Sequence, residues 1–187
     1  MLFKRFATLV LGAVLSLSMP LLPGNSIGSV KAGVLESEIL FRRKAWEVSL
    51  VAFDDGTFAC MAEVGNNNTA FLIWAYSSDR ASLQFYNKAW HFNNETADIV
   101  VKIDRRADWT LNNAEMNENS VFFTLTDSDS SVRFMREVMR GNVLNLMTSR
   151  RQLIERYSLA GSSASIVKLS ECVDLLGAAD TDGNPFN

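Results

Sequence analysis

The sequence predicts an α+β fold: a mainly antiparallel sheet, curled like a barrel or sandwich, carrying two helices. Three observations lead there. Short apolar segments of period 2 recur between Lys44 and Leu159, separated by Gly, Asn, Asp and Ser turn signals. The period changes to that of a helix twice, between Asp129 and Arg140 and again after Gly161. Of the two cysteines, Cys60 falls on an expected strand and Cys172 on the last expected helix. A single bridge would therefore tie the C-terminal helix to the sheet.

The elements follow in order. Residues 1–32 read as a secretory signal peptide: Lys4 and Arg5 precede an apolar run, Pro20 and Pro23 interrupt it, and Val30-Lys31-Ala32 offers small residues to a signal peptidase. The prolines leave too short a continuous stretch to span a bilayer. Residues 33–177 then form one domain, and 178–187 a flexible polar tail. Trp46, Val48 and Leu50 alternate with polar neighbours. Asp54-Asp55-Gly56 turns that strand into Thr57–Ala62. After Gly65–Asn68, the segment Thr69–Tyr76 is apolar throughout and reads as a central strand covered on both faces. A turn at Ser77–Asp79 leads to Leu83–Tyr86, continuing towards Trp90-His91-Phe92, and Ala97–Ile103 is the next strand. Trp109–Leu111 and Val121–Leu125 pair across a polar stretch, Asn112–Asn119.

Asp129 or Ser130 caps the first helix, which ends at Gly141, with Val132, Met135 and Met139 as its apolar stripe. Two further strands, Val143–Met147 and Leu153–Leu159, precede the last helix. Ser162 is its expected cap and Gly177 its end. Ile166, Leu169, Val173 and Leu176 form its apolar stripe, with Cys172 beside them.

Charge and cysteine usage narrow the function. The chain carries 18 Lys+Arg and 21 Asp+Glu. Removing Lys4, Arg5 and Lys31 with the signal peptide leaves 15 cationic residues against the same 21 carboxylates, a net of −6. Such a protein lacks the cations that nucleic-acid backbones require, and no membrane span follows the signal segment. In an oxidising compartment Cys60 and Cys172 are expected to pair; the alternative is two buried thiols, or one reactive thiol.

The chemistry-bearing residues point away from catalysis. His91 is the single histidine and sits in an aromatic strand context without a nucleophile motif, so it reads as structural. The carboxylate pairs Asp54/Asp55, Asp127/Asp129 and Glu115/Glu118 all fall in expected turns. Asp180-Thr181-Asp182-Gly183 resembles half a calcium loop, but the chain stops before the required glutamate. No metal ligands, cofactor or catalytic residues are assigned. Arg133, Arg136, Arg140, Arg150 and Arg151 are dense for an acidic chain. They would form a cationic binding patch if the first helix and the following hairpin lay side by side; the alternative is a solvated face.

Tyr157–Ser165 followed by Leu169 and Cys172, together with the tryptophan strand and cysteine strand from Trp46 to Cys60, resembles the closing and opening elements of small exported proteins of the invasion-associated locus B family. The likeness covers about a fifth of the chain, and that family is usually richer in cysteine. It implies a periplasmic or secreted β-rich protein, non-enzymatic and linked to the cell envelope, and it carries over no binding residue. The expectation is therefore an exported, non-enzymatic interaction protein whose partner is another exported or envelope protein. The alternative is a small periplasmic hydrolase acting on glycan or peptide through dispersed carboxylates.

Overall fold

The computed structural model describes residues 33–76, 81–125 and 128–181, with residue 128 and residues 178–181 described by their backbone alone. The expected signal peptide, the expected turn at Ser77–Asp79, Asp127 and residues 182–187 of the expected tail lie outside that set.

The described residues form ten strands and two helices: β1 (Val34–Arg43), β2 (Trp46–Phe53), β3 (Phe58–Gly65), β4 (Thr69–Ala75), β5 (Ala81–Asn87), β6 (Phe92–Ile103), β7 (Trp109–Glu118), β8 (Ser120–Leu125), α1 (Ser128–Met139), β9 (Val143–Thr148), β10 (Leu153–Ser158) and α2 (Ser162–Thr181). All strands belong to one antiparallel sheet in the order β1-β2-β3-β4-β5-β8-β7-β6-β9-β10. The expected α+β architecture is the one observed.

Local chemistry explains the hairpins. In the β2–β3 turn Gly56 takes a positive φ of 83°, and the Asp55 carboxylate accepts both the N–H and the hydroxyl of Thr57, at 2.9 and 2.6 Å. Between β3 and β4, Asn66 Oδ1 accepts the N–H groups of Asn68 and Thr69. Both are side chains closing their own turns. β4 is central, and Ala70, Phe71, Leu72 and Ile73 are all buried.

The sheet curls because its inner face is crowded with large side chains that reach across it. Phe71 of β4 stacks on Phe85 of β5 at 5.1 Å and meets Trp46 of β2 edge-on. Tyr157, from the opposite end of the sheet, packs on both phenylalanines at about 6 Å. α1 and α2 cover the remaining apolar interior through Phe134, Val138, Ile166 and Leu169, all buried. The bridge between Cys60 and Cys172 joins β3 to α2, with Cα atoms 6.0 Å apart.

Several boundaries differ from the sequence reading. β1 was not expected. It is an exposed edge strand whose pairing with β2 slips at Val34/Glu36 and Ile39/Phe41, so neither burial nor strict alternation marks it. β7 includes most of the polar stretch expected to connect two shorter strands. That part is solvated, and Asn113, at φ 56°, donates its N–H to Asp98 in an irregular register. β6 starts at Phe92, which the sequence pattern groups with the preceding strand. On α1 the fully buried residues are Phe134 and Val138, whereas Val132 is 54% exposed, so the helix is rolled relative to the expected stripe. α2 runs through Gly177 to Thr181. Its start is set by the Gly161 carbonyl, which accepts the Ser165 N–H and hydroxyl. The Ser162 hydroxyl caps nothing; it donates instead to Val138 of α1 at 2.7 Å.

Candidate functional site

The two helices meet at an angle that leaves a groove between them. Three contacts fix α1 in place. Ser162 holds its last turn, Trp109 Nε1 donates to Glu137 Oε2 at 2.9 Å, and the Arg133 guanidinium lies 4.1 Å from the centre of the Trp109 ring. Gly141 then lets the chain turn towards β9, since a Cβ there would sit 2.6 Å from both Ile103 and Leu159.

With Phe134 and Val138 turned into the core, Met135 and Met139 are left facing α2. They and Val132 form one wall of a cavity of about 570 Å³, and Ile166, Leu169 and Val173 form the other. Arg136 and Arg140 also line it, and both are exposed. Neither has a carboxylate partner among the described residues. The site is thus an apolar, methionine-bearing trough with two cations at its margin that have no carboxylate partner among the described residues. Methionine side chains adapt to irregular apolar surfaces, and the arginines favour negative charge at the opening.

The five arginines read as one patch do not form one. Arg136 and Arg140 belong to the groove. Arg133 is committed to Trp109. Arg150 and Arg151 sit in the turn beyond β9, a strand whose six residues span about 20 Å. Arg151 there pairs with Asp108 at 3.1 Å, alongside Lys102. α1 packs chiefly against α2 and β8, and the arginines are engaged in separate places: Arg136 and Arg140 at the groove, Arg133 on Trp109 and Arg151 on Asp108.

Of the expected carboxylate pairs, Asp54 and Asp55 shape a turn, accepting from the Gly33 and Thr57 N–H groups, whereas Glu115 and Glu118 lie on β7 and not in a turn. His91 is exposed. Among the described residues no group of three or more His, Cys, Asp or Glu side chains is placed to hold a metal, and no helix is long and apolar enough to cross a membrane.

A second concavity, of about 500 Å³, lies on the outer face of β2–β5 and brings together two carboxylates that the sequence reading did not single out. Glu47 and Glu63 are directly opposed across β2 and β3. Burial, and secondarily the charge of Glu47, push the Glu63 carboxyl above its usual range. Glu47 is paired with Arg42 at 2.7 Å. Trp74 and Gln84 line the same hollow and are fixed to one another by the indole N–H at 2.7 Å, with the Gln84 amide donating onward to Ser120. The signal was present in the sequence: a hairpin turning at Asp55 sets residues 47 and 63 opposite each other.

Comparison of the chain with family models, curated proteins and solved structures finds no match.

Proposed function

We propose that this chain is an exported, non-enzymatic interaction protein of the cell envelope, and that the groove between α1 and α2 receives an acidic, apolar segment of another exported protein. The observation that carries this reading is the pairing of an apolar trough with Arg136 and Arg140 on a chain that is otherwise acidic. Only a partner that presents apolar side chains and nearby carboxylates satisfies both features. The Cys60–Cys172 bridge is consistent with a non-cytoplasmic location. The basic, apolar and V-x-A sequence of the first 32 residues points the same way, as does the resemblance to the invasion-associated locus B family.

The test is binding of an acidic amphipathic peptide, followed by fluorescence anisotropy against an isostere with its carboxylates amidated. The acidic peptide should bind about tenfold more tightly than the amidated one, a difference of about 1.4 kcal/mol. That preference should vanish in the Arg136→Glu/Arg140→Glu variant and weaken with salt. Equal binding of the two peptides, or no binding of either, would overturn the reading. So would concentration-dependent self-association through Met135 and Met139, which would make a second copy the occupant.

One observation favours a second reading, a small hydrolase acting on glycan or peptide. Glu63, whose carboxyl burial and the Glu47 charge push above its ordinary range, and the ion-paired Glu47 share a hollow with an aromatic ring, two carboxyl groups in unlike surroundings. Turnover of cell-wall glycan fragments that is lost in Glu63→Gln would support it. No turnover by the purified protein would remove it.

A further inference from the structure

The residue preceding β1 is held more firmly than the frayed start of an edge strand requires. The Gly33 N–H donates to Asp54 Oδ1 at 2.8 Å, and the Gly33 carbonyl accepts the Asp54 N–H at 2.9 Å. Together these bonds extend the β1–β2 ladder one step beyond its terminal pair, Val34 and Phe53. A Cβ on residue 33 would lie 3.0 Å from Asp54 Oδ2, so a side chain there would ask the carboxylate to shift by a few tenths of an ångström, and glycine lets it approach without that adjustment. Asp55, the neighbouring acid of the same turn, is occupied by Thr57, which leaves Asp54 as the carboxylate that faces the Gly33 nitrogen.

A full negative charge aimed at a neutral amide is underused. The same nitrogen becomes a cation if the chain is cut immediately before it, and the sequence reading places the cut there. We infer that Asp54 is the receptor for the α-ammonium formed when the Ala32–Gly33 bond is hydrolysed, so that removal of the signal peptide itself locks the edge strand. The inference rests on the export reading given above. The step is an ordinary hydrolysis by a peptidase that reads small residues. Water adds across the Ala32–Gly33 amide, the C–N bond breaks, Ala32 leaves as a carboxylate carrying the water oxygen, and the Gly33 nitrogen takes both water protons beside its own to become an ammonium. No electrons are exchanged.

The hydrogen bond from a neutral N–H to a carboxylate thereby becomes an ion pair with both partners charged, in a place where neither sacrifices a long flexible side chain. Glu36 and Glu38 on β1 add negative charge along the same strand. The ammonium gains a partner, so its pKa rises on folding. Its stabilisation is complete below the ordinary α-amino value of about 7.7–8.0 and is lost as pH climbs through the raised folded-state value. The lock acts on a vulnerable edge. β1 exposes Val34, Leu35 and Ile39, and a released apolar edge strand is a template for unwanted pairing.

The experiment expresses the full chain with its own leader, as wild type and as Asp54→Asn, and recovers both from the periplasm. N-terminal sequencing is expected to begin at Gly33. Isotope-labelled dimethylation of the α-amine, which preserves its charge, lets NMR follow its titration. The wild-type amine should titrate above the ordinary range and the variant's within it. Wild type should melt about 1–4 °C higher than Asp54→Asn near neutral pH, with the gap closing above about pH 10, where the amine is neutral. Asparagine keeps an acceptor at the same atom, so a purely structural hydrogen bond would leave the two proteins alike. Identical titrations would overturn the role of Asp54. A retained Met1, or a start other than Gly33, would overturn the processing reading, whatever the titrations give.

Discussion

The indole Nε1 of Trp46 donates to the main-chain carbonyl of Ser158 at 3.2 Å, joining the second strand of the chain to the last. β2 and β10 lie near opposite ends of the strand order, so this bond crosses the interior of the curled sheet instead of following its ladder. Trp46 is fully buried, and Ser158 neighbours Tyr157, which packs on Phe71 and Phe85. Trp46→Phe preserves an aromatic ring but leaves that carbonyl without its donor and the site short of volume. The expected cost is about 2–3 kcal/mol, or a Tm lower by about 5–10 °C. Amide exchange should accelerate in β10, which lies at the edge of the sheet, before it does in β4. Uniform acceleration would show that the bond does not retain β10.

The Cys60–Cys172 bridge closes a segment of 112 residues. In the chain-entropy account a loop of this size is worth about 3–5 kcal/mol, through restriction of the unfolded chain. Cys60→Ala/Cys172→Ala should lower the urea midpoint accordingly. Alanine is the better probe, because a serine at the buried Cys60 position would add an unsatisfied hydroxyl. Both sulfurs are buried, so reductant and alkylating agent should reach them only in denaturant. A wild-type midpoint insensitive to reduction in denaturant would exclude a stabilising role.

Asp104 organises the entry to β9. It takes a positive φ of 51° just after β6. Its carboxylate accepts the N–H groups of Asn142 and Val143, at 3.1 and 3.0 Å, and pairs with Arg106 at 2.9 Å. Burial alone would raise its pKa, but these donors and the guanidinium outweigh that and hold the carboxyl below its ordinary 3.8. A lowered folded-state pKa means that the stabilisation is present above the ordinary value and disappears as pH falls through the folded one. Asp104→Asn, which tolerates the same backbone conformation, should therefore destabilise by no more than about 1 kcal/mol at neutral pH, given solvent screening. Once the pH has fallen through the folded-state pKa it should match wild type. The measurement is the urea midpoint across that range, and a pH-independent difference would assign the effect to packing instead of charge.

Much of the architecture was legible because it is encoded locally. The Asp54-Asp55-Gly56 turn, the apolar run of β4 and the stripe Ile166, Leu169, Val173 on α2 each follow from residues close in sequence. β1 was not legible, because an edge strand buries little and its slipped pairing breaks the alternation. The roll of α1 was not legible either: Val132, Met135 and Met139 make as good a stripe on paper as Phe134 and Val138. Which face turns inward is decided by Trp109 and Ser162, from elements outside that helix, which hold Glu137, Arg133 and the Val138 carbonyl.

The candidate groove divides in the same way. Arg136 and Arg140 were visible as part of a cationic run, and Met135 and Met139 as apolar helix residues, but nothing local said that these four line a common trough. Nor did it say that Arg150 and Arg151 lie elsewhere, since that depends on the length and direction of β9.

The amino-acid order by itself determined the strand-rich α+β class, the β2–β3 hairpin around Asp55 and the single disulfide partner available to each cysteine, but not the pairing of Trp109–Leu111, which lie against β6 and not against Val121–Leu125. Those properties depend on alternation, turn chemistry and a count of two. Tertiary structure decided which sheet ends meet, how α1 rolls against α2, and where positive charge adjoins apolar surface. Contacts such as Trp46 with Ser158 form between residues far apart along the chain, and they are selected by how well volumes and polar groups fit once the sheet has curled.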